Sequence, residues 1–348
     1  MNPVPSAPLA LHLDSQALKA NWQWLARQSG GAACGAAIKA DAYGLGAAEV
    51  LGHLKAAGCR DFFVATWAEA AALLPHLDGA GLSVLHGVRV DDIAFARATP
   101  IRPVLNSAAQ IARWKAAGGG PCDVMVDTGI NRLGLRIEEL TPELLAGLPI
   151  DTLLSHLACA DEDHPLNAAQ LQRFREIVRL VPARRYSLAN SAGILLGSDY
   201  GFGLTRPGVA LYGAIPRAEA AGHIAQVVRP HVQVIQRHVV RAGETAGYGA
   251  TFTAGGDMPV AVLNIGYADG YLRAFSGRGA ALLDGARLPV LGRVSMDQLI
   301  VDVGAAPQIE EGDWLEIEFD LPIAAAQSGL SQYELLTGMG RRYARRWV

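Results

Sequence analysis

From about residue 14 to about 225, short apolar runs alternate with longer stretches in which apolar positions recur at three- and four-residue spacing. The short runs are "AAIKA", "DFFVAT", "LSVLHG", "RPVLN", "CDVMVD", "DTLLSHL", "RYSLAN" and "GVALYG". The longer ones, "SQALKANWQWLARQ", "WAEAAALL", "SAAQIARWKAA" and "NAAQLQRFREIVRL", have the period of helices packed along one face. This alternation predicts repeated βα units around a parallel sheet. Periodicity alone also permits an open doubly wound sheet. The count of eight strand-like runs favours a closed α/β architecture, a (β/α)8 TIM-type barrel.

Beyond about residue 228 the pattern shortens to "HVQVIQRHVV", "MPVAVLNIG", "GAALLDG", "ARLPVLG", "QLIVDVG" and "DWLEIEF", separated by Gly, Pro and Asp. A C-terminal, mostly-β domain over 228–348 is expected after a barrel over 13–227. The segment "SGLSQYELLTGMGRRYARRWV" predicts a terminal helix with a basic tail, its arginines most simply a solvated surface or a subunit contact.

With 348 residues and 51% hydrophobic side chains the chain can fill two cores. Thirty basic against 33 acidic side chains leave a net charge of −3, without the footprint of a nucleic-acid binder, so a small ligand is the expected partner. The four cysteines, Cys34, Cys59, Cys122 and Cys159, form neither C-x-x-C pairs nor a dense framework; reduced thiols are expected and zinc is not. The opening "MNPVPSAPLALHLD" lacks a basic start and no apolar run reaches membrane-spanning length, so the expectation is a cytoplasmic protein without membrane contact.

Barrel chemistry gathers where strands end. Lys39, His156, Asn190 and Ser191 fall at such ends, and Asp127 and Arg132 in the loop after the fifth strand. Each has an ordinary reading as a cap, a turn residue or a hydrogen-bonded core group. Lys39 is the exception, because an ammonium delivered by a buried strand is resisted by desolvation unless it has a partner. Three phosphate cues share the same rim: Tyr43 in "DAYGLGA", which could start a helix, the hydroxyl and amides of "NSAG", and Gly208 in "RPGVALYG". A lysine beside phosphate donors describes a site for a phosphorylated aldehyde, pyridoxal 5'-phosphate, bonded to Lys39.

In chain order, "AAIKADAYGLGA", "DTGINRLG", "SHLACAD", "NSAG", "RPGVALYG", "GYGATF", "IGYADGY" and "GRVSMDQLIVDV" resemble the motifs of the alanine racemase family, two-domain fold-type III pyridoxal-phosphate enzymes, across nearly the whole chain. The resemblance implies that residues 1–12 join the β domain and that a head-to-tail homodimer builds each active site from both subunits. It implies Lys39 as cofactor lysine and one catalytic base, with Tyr248 of the partner chain as the other, in contact with His156. Lysine and tyrosine both have pKa values of about 10 in water, so each can serve in either direction. Arg206 would face the pyridine nitrogen, a fixed cation that disfavours ring protonation and limits side reactions. Tyr43, Ser191, Gly208 and Val209 would hold the phosphate, with His156, Asn190 and Tyr212 completing the cofactor set. Arg132 and the Met296 amide from the other subunit would bind the substrate carboxylate, beside Asp297 and with Tyr267 at the substrate entrance.

Two departures stand out. The family often places a lysine, commonly carbamylated, seven residues before that arginine, where this chain has Met125. A thioether cannot take up carbon dioxide or form a salt bridge, so orienting Arg132 falls to another group, Asn131 or a bound anion, and tuned activity is expected. Gly340 stands where some members carry a tyrosine beside the phosphate. The implied function is interconversion of L- and D-alanine, for peptidoglycan precursor supply or alanine catabolism. The alternatives are a racemase of broader scope, for serine or basic amino acids, and a non-catalytic pyridoxal-phosphate protein; a decarboxylase or a bare interaction scaffold fits the motifs less well.

Overall fold

The computed structural model describes residues 6–348, so residues 1–5 of the expected opening strand lie outside the described residues. The chain divides into two compact units: Ala17–Ala225, and Gln226–Val348 together with the described residues through Gln16.

In Ala17–Ala225, seven strands pair in parallel in chain order: Ala36–Ala37, Asp61–Val64, Gly81–Val84, Arg102–Leu105, Cys122–Met125, Ile150–Leu154 and Arg185–Ser187. A further short strand, Leu204–Thr205, closes the ring. On one side Gly203 N–H donates to Tyr186 O at 3.0 Å and Arg206 N–H to Ala189 O at 2.9 Å; on the other, Gly35 N–H donates to Thr205 O at 2.9 Å and Ala37 N–H to Pro207 O at 2.8 Å. Helices such as Ala47–Ala57, Trp67–Leu73, Ala108–Ala116 and Pro165–Leu180 alternate with the strands. The expected TIM-type barrel is therefore present, with one correction. "GVALYG" is not its eighth strand: Val209–Tyr212 is a 3₁₀ turn whose four residues are all buried. A continuous apolar run carries no period to separate strand from helical turn.

Period-two alternation sorts the barrel interior into layers. Phe63, Val104, Met125, Leu154 and Leu204, from five strands, form an apolar plug. Beneath it, one step earlier along the strands, lie charges: Asp123 Oδ2 accepts from Ser83 Oγ at 2.6 Å, Arg102 lies 3.4 Å from Asp123, and Arg185 donates twice to Asp61, at 2.9 and 2.7 Å. One step later the same alternation brings Lys39 after Ala37, His156 after Leu154 and Arg206 after Leu204 to the opposite, C-terminal rim.

The second unit is built on the 13-residue strand Val228–Val240. Its first half pairs antiparallel with Leu9–Leu13 and Trp314–Ile317, its second half with Met258–Leu263, and the sheet continues through Leu299–Asp302, Ala286–Leu291 and Ala280–Leu283 back to Trp314–Ile317. The C-terminus departs from expectation. After the helix Gln332–Thr337 there is no basic tail but a strand, Ala344–Trp347, parallel to Leu9–Leu13. This strand forms the edge of the sheet, and Arg346 on it covers the Trp314 ring at 5.3 Å, a cation–π contact. Among the described residues no helix is long and apolar enough to cross a membrane.

Candidate active site

The first barrel strand ends at Ala37, and Lys39 begins a turn of unusual hand. Ala40, Asp41, Ala42 and Tyr43 have φ of 53°, 54°, 52° and 57°. The left-handed conformation costs about 1–2 kcal/mol for each such L-residue, so the turn persists only where its surroundings over-determine it. They do so at both ends. Ala40 N–H donates to Glu69 Oε1 at 2.6 Å, and Asp41 Oδ1 accepts from Ala47 N–H at 2.8 Å. The expected helix start at "DAYGLGA" is thus displaced: the right-handed helix begins only at Ala47, because Gly44 and Gly46, at φ 90° and 102°, are spent on leaving the turn.

The turn aims Tyr43 across the barrel rim. Its ring lies 4.7 Å from that of Tyr212, whose hydroxyl donates to Ala37 O at 2.9 Å. A Cβ on Gly208 would stand 2.4 Å from the Tyr43 hydroxyl, so glycine is what allows the two to meet. Ser191 Oγ accepts from Gly208 N–H at 2.8 Å and Ala210 N–H at 3.3 Å, leaving its own O–H to donate. Val209 opens the 3₁₀ turn, and the first amide of a helical turn has no partner within it. Two hydroxyls and an amide make a phosphate-sized cradle. Asn190 Oδ1 caps the next turn by accepting from Gly193 N–H at 2.8 Å.

Arg206 is 7% exposed and donates to Ser187 Oγ and, at 2.6 Å, to Ser155 O. It forms no ion pair among the described residues. Burial lowers its pKa to about 10, which leaves it charged at neutral pH. His156 is held at about 3, by burial first and then by the charges of Arg206, Arg132 and Lys39, so its imidazole is neutral. The Lys39 pKa is lowered by burial and by Arg132, with Glu69 opposing and Arg206 reinforcing. An amine so placed gives up its proton more readily than a surface lysine.

Arg132 is exposed and, among the described residues, its guanidinium has no hydrogen bond or ion pair. Its loop is shaped by Asp127, whose Oδ1 accepts from the amides of Gly129, Ile130 and Asn131 at 2.7, 3.0 and 3.2 Å. Met125 is buried in the apolar plug, and the loop that carries Arg132 is held by the Asp127 carboxylate.

The remaining expected residues lie in the second unit. Tyr248 is 67% exposed and Met296 52% exposed. Tyr248 borders a groove of about 730 Å³ lined also by Ile235, Arg293, Leu299 and Glu311. Tyr267 and Met296 are carried by two loops in contact: Tyr267 N–H donates to Ser295 O and Ala268 N–H to Met296 O, both at 3.1 Å. A clamp that sequence reading missed holds these loops. Arg342 donates twice to buried Asp269, at 2.7 Å each, and once to Asp297 at 2.7 Å. Glu69 was missed as well, although "TWAE" before an apolar run has the capping-box form that could have flagged it.

The barrel rim therefore combines a lysine of lowered proton affinity, an unpaired charged guanidinium, a neutral imidazole and a phosphate cradle. It fits a phosphorylated aromatic aldehyde bonded through Lys39, with Arg132 free for a carboxylate. Residues 13–216 match the family described as alanine racemase, N-terminal domain, and residues 227–347 the alanine racemase C-terminal domain. A catabolic alanine racemase of Agrobacterium fabrum is 43% identical, covering 97% of this chain and 92% of its own length; the biosynthetic one of the same organism is 39% identical, covering 98% and 94%. Among solved structures, the alanine racemase of Bartonella henselae, with covalently bound pyridoxal phosphate, superposes with a TM-score of 0.90 at 35% identity over 99% of this chain and 100% of that one. The biosynthetic alanine racemase of Pseudomonas aeruginosa gives 0.88 at 32% identity, over 98% and 99%.

Proposed function

Because the chain belongs to the alanine racemase family, we propose that it interconverts L- and D-alanine with pyridoxal 5'-phosphate, as a homodimer whose subunits share their active sites. The observation that carries this reading is the Lys39 amine, held among Arg132, Arg206 and a neutral His156, beside the Ser191, Tyr43 and Gly208 cradle. When bound, the cofactor supplies an electron sink for the substrate α-carbon. Lys39 would hold its aldehyde end and, freed by the amino acid, move a proton on one face of that carbon. Inversion requires a second group on the opposite face, since one base returning the proton to its own side changes nothing. Tyr248, exposed on the β unit, is the proposed second group, reaching the barrel of a second copy.

Arg206, buried, charged and unpaired with any carboxylate, would donate to the ring nitrogen and keep it from taking a proton. Ser191, Tyr43 and the Val209 amide would hold the phosphate. Arg132 would grip the substrate carboxylate with its planar fork, aided by the amide of Met296, an exposed residue, from the second copy, near Asp297 and Tyr267. All four cysteines are free, which suits a reducing compartment such as the cytoplasm.

Borohydride reduction of the cofactor-loaded protein, followed by peptide mapping, should find the modification on Lys39. Lys39→Ala should abolish both directions of racemisation, and Tyr248→Phe should suppress abstraction from L-alanine more than from D-alanine. Equal, undiminished rates in Tyr248→Phe would remove the second base. Relative turnover of alanine, serine, lysine and arginine tests the substrate: alanine is expected to dominate.

A further inference from the structure

One carboxylate joins the lysine's turn to the next βα unit. Glu69 sits in the first turn of the helix Trp67–Leu73, where Thr66 Oγ1 accepts its amide at 3.3 Å and Glu69 Oε2 accepts from Ala65 N–H and Thr66 N–H at 2.7 and 2.9 Å. A capping-box glutamate ordinarily stops there. This one has its second oxygen 2.6 Å from the amide of Ala40, the residue after Lys39 and the first of four in the left-handed conformation. Among the described residues it is also the carboxylate that acts on the charge of Lys39, against the cations Arg132 and Arg206. Neutral His156 stands at the same rim, with the hydroxyls of Tyr43 and Tyr212.

We propose that Glu69 is a positioning residue for Lys39: by bridging the Ala40 amide to the Ala65 and Thr66 amides, it pins the left-handed turn that directs the amine toward the cofactor's aldehyde and Tyr43 toward its phosphate. The inference rests on the assignment of Lys39 made above. Its geometry is economical, because Lys39 and Tyr43 stand at the two ends of the turn that Glu69 holds. If the turn relaxes toward right-handed backbone, the spacing of these two groups changes together. The Glu69 charge also favours the protonated amine, so its removal lowers the pH at which Lys39 becomes nucleophilic.

The test compares three variants as apoprotein titrated with pyridoxal phosphate, followed by visible absorption. Glu69→Gln keeps the length but cannot accept at both ends; its cofactor dissociation constant should rise roughly ten-fold, and the pH midpoint for capture by Lys39 should fall by roughly half a unit or more. Thr66→Ala breaks the same capping box without touching Ala40; it should lower the melting temperature much as Glu69→Gln does, yet leave both cofactor readouts at their wild-type values. Glu69→Asp retains the charge but is one methylene short of bridging, so it should weaken binding while keeping the pH midpoint; it carries the test if Glu69→Gln does not fold. The proposal is overturned if Glu69→Gln and Glu69→Asp bind like wild type, or if Thr66→Ala moves the cofactor readouts as far as they do. A wild-type apoprotein that captures no pyridoxal phosphate on Lys39 would instead overturn the assignment of the lysine itself.

Discussion

Gly208 shows how much one hydrogen atom decides at this rim. Adding a methyl group there would set a carbon 2.4 Å from the Tyr43 hydroxyl, and the Tyr43 ring cannot swing away freely because Tyr212 lies 4.7 Å from it. Gly208→Ala should therefore weaken pyridoxal-phosphate binding in an absorption titration and lower stability by about 1–3 kcal/mol in denaturant unfolding, the usual penalty for overpacking. Wild-type affinity in that variant would mean that the phosphate lies elsewhere. Lys39 and Gly208 were legible in the sequence because each breaks the chemistry of its own run, a cation in a buried strand and a glycine beside an apolar stretch. Asn190 was legible only as a polar residue at a strand end; that its oxygen caps Gly193 follows from the local backbone. Met125 marks the opposite case: its identity excluded a carbamate, but only the tertiary structure shows that it packs into the apolar plug.

Among elements, the loops that carry Tyr267 and Met296 depend on Arg342. Asp269 is buried and its two oxygens take both ends of the Arg342 fork, while the third Arg342 bond fixes Asp297 beside Met296. Arg342→Gln should cost about 1–3 kcal/mol of stability, below the range for a fully buried pair because the arginine side chain is 46% exposed. In steady-state assays it should raise KM for alanine more than it lowers kcat, since the affected loop carries the amide proposed to bind the carboxylate rather than a proposed proton-transfer group. An unchanged KM would separate the clamp from substrate binding. The three misread elements, the eighth strand, the helix start after Lys39 and the C-terminal tail, share a cause. In each, local propensity was outweighed by a distant partner: Gly35 and Tyr186 for Leu204–Thr205, Glu69 for the left-handed turn, and Leu9–Leu13 for Ala344–Trp347.

For the whole molecule the decisive experiment is complementation. In the proposed shared-site dimer, Lys39→Ala and Tyr248→Phe subunits, each impaired alone, should regain activity when dissociated and reassociated together, because a mixed dimer then holds one site with both native groups. Random pairing restores roughly a quarter of the sites in a two-fold dimer. No recovery, with mixed dimers verified by mass, would place both groups in one subunit. By itself the sequence determined the family, the barrel followed by a β domain, and the cofactor chemistry, because these are written in short motifs and in the periods of apolar residues, which act within a few positions of the chain. Only the tertiary structure decided which segment closes the barrel, the hand of the turn after Lys39, and the Glu69 and Arg342 tethers. Those features rest on hydrogen bonds between partners well separated in the chain, 29 positions for Ala40 and Glu69 and 73 for Asp269 and Arg342, and no local pattern encodes which of many polar side chains will arrive at a given backbone amide or buried carboxylate.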